Sequence, residues 1–287
     1  MSRRNSHERK GIVGAVLALP DGILTLCCFA VPLVVIVLYS FWRIDLTTFT
    51  VTTDWNLGNY GDIFKSIYLQ ALLRSLLITI ATVAGCLLLG LPIAYFIASC
   101  KGKLQLLMIG AIVIPFWTSF VVRTYAWLEL LGAHGVVTQA LVHMHLVADG
   151  TDLRYSTTAV IIGMVYSYLP MMILPVYSTF EQLDRSLLEA AADLGKTPSQ
   201  AFFQIVMPSC GEGIVAGSLL VAIPALGEYT IPAILGGSKT LMIGNVIASE
   251  FQTTGNYPRG AALSSILMLA VLLILIAKQI VQWRETK

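Results

Sequence analysis

The sequence predicts an all-α integral membrane protein with six transmembrane helices. Three observations predict it. Hydrophobic residues make up 56% of the chain and charged residues 12%, where a soluble domain carries about 25% charged. The mean hydropathy is +0.79. The apolar residues also gather in long runs of about the 20 residues that a helix needs to cross a bilayer. A net charge of +2 gives no case for nucleic acid as a partner.

The chain opens with a polar stretch carrying Arg3, Arg4, Arg9 and Lys10, and its first apolar run is interrupted at Pro20-Asp21-Gly22. A basic start before an apolar run is also the layout of a signal peptide. Here the run is too long and no A-x-A cleavage site follows. The expectation is an N-terminal segment over 1–21 and a retained first span over 22–41. Residues 42–71 are polar and mixed, a loop expected to fold partly onto the membrane surface.

The second span covers 73–100, with Pro92 near its end, and Lys101-Gly102-Lys103 forms a tight basic turn. The third covers 104–122 and runs on into Arg123. A loop over 128–156 carries His134, His143 and His145; the His-x-His pair hints at a metal, but nothing nearby completes a ligand set. The fourth span is 157–180, the fifth 213–235 and the sixth 261–281, so the six-span domain runs 22–281 and leaves a tail at 282–287. The five cysteines, Cys27, Cys28, Cys86, Cys100 and Cys210, form no C-x-x-C pair and lie mostly in apolar runs. They read as packing residues rather than a disulfide or zinc framework.

Six spans put both termini on one side. Eleven Lys and Arg fall on that side and seven on the other, where the loops are longer. The positive-inside bias then places both termini and the 181–212 loop in the cytoplasm.

That loop is the most informative polar segment. Ser186 and Glu189 have the spacing of a capping box. Leu187, Leu188, Ala190, Ala191 and Leu194 share a helical face, with Asp193 beside them. Gly195 suits the left-handed position that ends a helix. Thr197 as N-cap and Pro198 at the first helical position restart one, and Pro208 and Gly211 close it. Gly195-Lys196-Thr197 mimics the end of a nucleotide-binding loop, but the upstream glycine is Ala190 and no strand precedes it. ATP is not expected on this chain.

Glu189-Ala190-Ala191, then Gly195, Ile205 and Met207-Pro208 at their spacing, resemble the EAA loop of ABC-importer permeases; Met207 departs from the usual Leu. The resemblance implies the type I importer permease fold, with 181–212 as the cytoplasmic coupling helix that docks on an ATPase. Glu189, Ala190, Ala191, Asp193, Gly195 and Pro208 would carry the coupling.

Charged groups at membrane depth are costly and mark functional sites. Glu228 lies between Pro224 and Pro232 among three glycines, a pattern that makes an unbroken helix implausible. A broken helix is tolerated at depth where it lines a watery cavity. An acid there, beside Tyr229, suits an amine cation. The other reading is a Glu at the outer interface, solvated or paired with an Arg such as Arg123. The stretch Pro115 to Trp127, with Trp117 and Tyr125, reads as an interfacial belt or as part of the substrate path.

The Pro115–Trp127 stretch, Ala190 to Gly195, Gly227-Glu228-Tyr229 with its Leu-Gly-Gly ending, and Met242-Ile243-Gly244-Asn245 resemble the spermidine/putrescine permeases within that family, over roughly 70–260. The resemblance implies a multi-pass subunit of a bacterial inner membrane importer that moves polyamines by alternating access. It further implies a second permease chain as heterodimer partner, two ATPase subunits holding ATP and magnesium, and an extracytoplasmic substrate-binding protein. The alternatives are a permease of the same family for another solute, such as an opine, an amino-acid-like solute or an inorganic ion, and, of another class, an ion-coupled carrier. No nucleophile–base pair or H-E-x-x-H motif points to a catalytic residue or a metal.

Overall fold

A computed structural model describes residues 2–45, 48, 50–184, 186–237 and 240–285, with the side chains of all of these except 2–19, 21, 188–190, 192, 198 and 281–285. The chain begins with α1 (Ser2–Ser40), a hairpin of β1 (Arg43–Asp45) and β2 (Thr50–Thr52), α2 (Gly58–Asp62) and α3 (Ser66–Ser99). Then come α4 (Lys103–Val113), α5 (Phe120–Leu130), α6 (Val136–His143) and α7 (Thr157–Glu181). The loop holds α8 (Ser186–Asp193), α9 (Pro198–Ala201) and α10 (Met207–Ser209). The chain finishes with α11 (Gly211–Leu226), α12 (Thr230–Leu235), α13 (Ile243–Gln252) and α14 (Tyr257–Glu285).

Among the described residues, four segments are single helices long and apolar enough to cross a membrane: Gly22–Ser40, Ser66–Ser99, Thr157–Glu181 and Tyr257–Ile280. Two bent pairs raise the number to six if each is one span: Lys103–Trp117 with Phe120–Leu130 at 98°, and Ser199–Ser209 with Gly211–Leu226 at 68°. The third span is therefore not one helix over 104–122. Pro115 lies in a 3₁₀ turn, Ile114–Trp117, and Thr118 after it is extended (φ −78°, ψ 153°), so the chain turns sharply before α5. The fifth span also stops short of 235: α11 ends at Leu226 and α12 begins at Thr230. At the N-terminus, Pro20 costs α1 one hydrogen bond without ending it, and the helix runs through the expected boundary at 21.

The chain divides into two compact units, Met1–Lys65 with Ile247–Lys287, and Ser66–Val246. In the first, α1 packs on α14. The expected polar loop is partly ordered there, with Arg43 paired to Thr52 and Asp45 to Thr50 across the hairpin. Asn59 donates to the carbonyls of Ser40 (3.0 Å) and Trp42 (2.8 Å), which closes α2 onto the end of α1. Asp62 pairs with Lys65 at 2.7 Å and with Arg259 of α14 at 3.2 Å. The hydrogen bond from Lys65, with Arg259 adding to it, holds the Asp62 carboxyl below the usual carboxylate range.

In the second unit α7 is the central element, packed against α3 and α11, which also touch each other. Cys86, Ala94, Met164, Met172, Val176 and Val221 are fully buried among them. Between membrane helices there is little hydrophobic drive, so small residues that allow close approach set the contact. On α11, a Cβ at Gly213 would lie 2.9 Å from the Pro175 carbonyl oxygen, and one at Gly217 3.1 Å from that of Met172. The two backbones nearly touch. The opposite faces are apolar and exposed, as at Leu77 and Leu88 of α3, which suits lipid.

Candidate functional site

The chain between α11 and α12 is where helix order fails. Gly227 follows Pro224 at the end of α11, and Glu228 and Tyr229 are non-helical before α12. A helix start leaves free amides, and Glu228 answers them from its own side chain. Its Oε1 accepts from the Thr230 N–H at 2.8 Å and the Ile231 N–H at 3.4 Å. Its Oε2 accepts from the Tyr168 hydroxyl at 2.5 Å. Tyr168 is buried and stands near the middle of the 25-residue α7, so the carboxylate lies at mid-length of a crossing helix rather than at its end.

The segment before and inside α13 braces this break. Asn245 donates its side-chain amide to the Tyr229 carbonyl at 2.8 Å and accepts from the Met242 N–H at 3.3 Å. Gly244 sits so close that a Cβ there would lie 2.5 Å from the Gly227 carbonyl oxygen and 2.7 Å from that of Glu228. The Ile243 N–H donates to Ser75 Oγ of α3 at 2.7 Å, and Ser75 is fully buried. Helix α12 also presses on α7: a Cβ at Gly163 would meet Leu235 Cδ1 at 2.5 Å.

The aromatic candidates spread over a wider surface. Trp117 is 86% exposed at the elbow before α5, Tyr125 is exposed on α5, and Tyr229 is exposed at the break. Trp127 is half-buried and packs edge-on against Tyr166, ring centroids 5.3 Å apart. Helix α5 packs against α12, but the partners that Glu228 finds are Tyr168, Thr230 and Ile231, not these rings. Arg123 is not its counter-ion either. Its guanidinium lies over the Phe116 ring at 4.6 Å, with Nε and Nη1 buried and without a hydrogen-bond partner among the described residues. His143 ends α6 and His145 follows it at φ 56°.

The 181–212 loop forms two short helical pieces. Gly195 has φ +76°, and the Lys196 N–H reaches back to the Ala191 carbonyl at 3.0 Å. That is the six-to-one bond of a Schellman ending. Ala191 is buried, while Asp193, Gly195 and Pro208 are exposed. The side chains of Glu189 and Ala190 lie outside those described, and with Glu189 goes the capping box expected at Ser186. What holds that helix start is Asp184, whose Oδ1 accepts from the Ser186 N–H at 2.9 Å. This donor, with the Ser186 hydroxyl, keeps the Asp184 carboxyl below its usual range.

A complete capping box forms one helix later. Gln200 Oε1 accepts from the Thr197 N–H at 3.0 Å, and Thr197 Oγ1 accepts from the Gln200 N–H at 3.4 Å. Thr197-Pro-Ser-Gln200 has the S/T-x-x-E/Q spacing, so the signal was in the sequence. A π-turn over Phe202–Val206 then joins α9 to α10. Leu187, Leu194 and Phe203 are left 45%, 80% and 64% exposed.

Comparison with known proteins bears on this geometry. A family model described as "Binding-protein-dependent transport system inner membrane component" matches residues 90–285. The chain belongs to this family. It is a multi-pass inner membrane permease, and the type I importer fold expected of it is the one observed. The permease is 36% identical over 256 residues to "Spermidine/putrescine transport system permease protein PotB" of Escherichia coli (strain K12), covering 89% of this chain and 91% of that one. The protein of that name from Haemophilus influenzae is 41% identical over 220 residues, 76% and 77% of the two chains. Among solved structures, a bacterial alginate ABC transporter in complex with an alginate pentasaccharide-bound periplasmic protein superposes with a TM-score of 0.72 at 16% identity, covering 100% of this chain and 99% of that one.

Sequence reasoning about the permease missed Tyr168, Ser75 and the Gly213–Gly217 pair. The last has the G-x-x-x-G spacing of close helix pairs. Tyr168 follows Tyr166 and Ser167 in an apolar run and Ser75 follows Arg74, with no local sign of their distant partners.

Proposed function

We propose that this permease is the membrane subunit of an ATP-driven polyamine importer, working by alternating access, and that Glu228 takes a substrate ammonium. One observation carries the reading: the Glu228 carboxylate stands at mid-length of α7, on a broken helix, with neutral donors on it and no basic side chain among its hydrogen-bond partners within the described residues. A charge so placed costs about 2.5–3.5 kcal/mol on insertion scales and marks a site of function. A cationic solute is what would offset it. The names of the relatives point to the same solute class. The structural neighbour carries an acidic polysaccharide, so the shared scaffold does not itself select the sign of the charge.

The remaining parts of the reading rest on the family and on the loop. Leu187, Leu194 and Phe203 are apolar and exposed on the loop that holds the Schellman turn, which suits docking on an ATPase. Glu189, Ala190, Ala191, Asp193, Gly195 and Pro208 would make the coupling element, with ATP and magnesium on two ATPase subunits. A second permease chain and an extracytoplasmic binding protein complete the assembly; the periplasmic protein in the alginate complex supports the latter by analogy. The Lys and Arg bias supports cytoplasmic termini, at 1–21 and 282–287, around the 22–281 permease domain. Tyr229, Trp117, Tyr125 and Trp127 are candidates for the substrate path.

The test is Glu228→Gln, which keeps shape and removes charge. A charge-assisted hydrogen bond is worth about 1.5–3 kcal/mol, so polyamine uptake should fall by about ten- to hundredfold. Assembly should be unchanged and Glu228→Asp milder. Wild-type uptake in Glu228→Gln would remove the substrate contact.

A further inference from the structure

We infer that the groove between the end of α3 and α4 seats an acyl chain of an anionic phospholipid, whose phosphate is held by Lys101 and Lys103. The inference does not depend on which solute the permease carries.

Helices α3 and α4 belong to one compact unit and are joined by the turn Lys101-Gly102-Lys103. Gly102 makes that turn at φ 63° and ψ −132°, a backbone that suits glycine. Between the helices lies an open groove of about 450 Å³ with an apolar lining throughout, including Pro92, Phe96 and Ile97 of α3 and Met108, Ala111 and Ile112 of α4. Ile97 is buried, while Phe96 and Ala111 are exposed. The flanking Leu104, Leu106 and Leu107 are apolar and exposed as well, so the groove opens on a face suited to hydrocarbon.

Its charged end sets it apart from an ordinary lipid-facing surface. The α3 lining runs 92, 93, 96 and 97, and the next pair in that register is Cys100 and Lys101. Helical bonding reaches that far: the Cys100 N–H donates to the carbonyls of Phe96 at 3.2 Å and Ile97 at 3.1 Å. Cys100 Sγ meets Met108 Sδ at 4.0 Å at the end of the groove nearest the turn. Four residues of helical rise put Lys101 about 6 Å beyond Ile97. A lysine stem there can lie along apolar surface with its ammonium at headgroup level.

Both lysines are exposed and neither makes a salt bridge among the described residues. Lys103 opens α4, the end of a helix where a cation is disfavoured, and no acid stands in that first turn. Glu181, the acid that α7 brings to α4, is engaged by Gln105 at 3.3 Å. Two unpaired cations beyond an apolar groove match the two parts of one ligand, a hydrocarbon chain and a phosphate. A positive-inside signal alone needs neither the groove nor its register with Lys101. A zwitterionic headgroup brings its own cation, which offsets its phosphate. Each lysine should therefore favour an anionic headgroup by about fivefold.

The probe is phosphatidylglycerol with a diazirine in its acyl chain, photolysed in vesicles that hold the assembled importer. Labelled peptides are mapped, with unlabelled phosphatidylglycerol and phosphatidylcholine of the same chains as competitors. Label should fall on 92–97 and 108–112, and phosphatidylglycerol should compete at least about tenfold better than phosphatidylcholine. With Lys101→Gln and Lys103→Gln together, the two lipids should come within about threefold. Ala111→Trp fills the groove and keeps the lysines, and should cut the label on 92–97 by at least about fivefold. Equal competition in the wild type overturns the inference, even where a variant does not assemble. An unchanged preference in the lysine variant, or unchanged labelling in Ala111→Trp, overturns it too. Absence of label from both segments overturns it in another way, since the groove is then covered by the second permease chain.

Discussion

Gly195 and Glu228 are single residues whose types stand out from their surroundings. Gly195 holds φ +76° with nothing within 4 Å of where a Cβ would stand, so a substitution meets no steric wall and pays only for its backbone. A β-branched residue pays most at positive φ. Gly195→Val should therefore leave the permease inserted and expressed, but shift the second half of the loop and cut uptake by at least about tenfold, a loss of about 1.4 kcal/mol in coupling. Normal uptake at normal expression would remove the loop from the coupling role. Both residues could be found in sequence because each breaks a local rule: a glycine ends a helical pattern, and an acid interrupts an apolar run. Tyr168 breaks none. Tyr166 and Tyr168 are near neighbours in one apolar helix, and only packing decides that one meets Trp127 and the other Glu228.

At the scale of elements, the broken helices are the parts that position chemistry. Pro224, Gly227 and Pro232 announced the break between α11 and α12, since two prolines and a glycine leave few helical hydrogen bonds to lose. The elbow before α5 was harder to read. Pro115 alone stands there, and the run of apolar residues around it matches one straight span as well as a bent one. The brace on the break follows from close approach. Gly244→Ala places a methyl within 3 Å of two backbone carbonyl oxygens that have no side-chain freedom to yield. It should destabilise the purified complex by about 1–3 kcal/mol, as overpacking does, and lower uptake with it. Gly110→Ala is the control, with only the flexible Ile114 Cδ1 near, at 3.8 Å. Equal melting temperatures for the two variants would show that the brace does not depend on Gly244.

For the whole molecule, composition and run length were enough to read a polytopic all-α chain. Four of the six expected crossings are single helices among the described residues, and two bent pairs complete the number if each is one span. The hairpin over 43–52 was not legible. Its three-residue strands are too short for alternation to rise above noise, and the pairing of Arg43 with Thr52 and Asp45 with Thr50 leaves no mark in the local pattern. The central claim is that this chain, with ATPase partners, carries polyamines inward. The direct measurement is uptake of labelled spermidine and putrescine by cells that lack their own polyamine importers and express this permease with its neighbouring subunits. Uptake should appear, persist in the presence of an ionophore and vanish when the ATPase is inactivated. Uptake that survives ATPase inactivation but collapses with the ionophore, or a strong signal for another solute with none for either polyamine, would contradict the account.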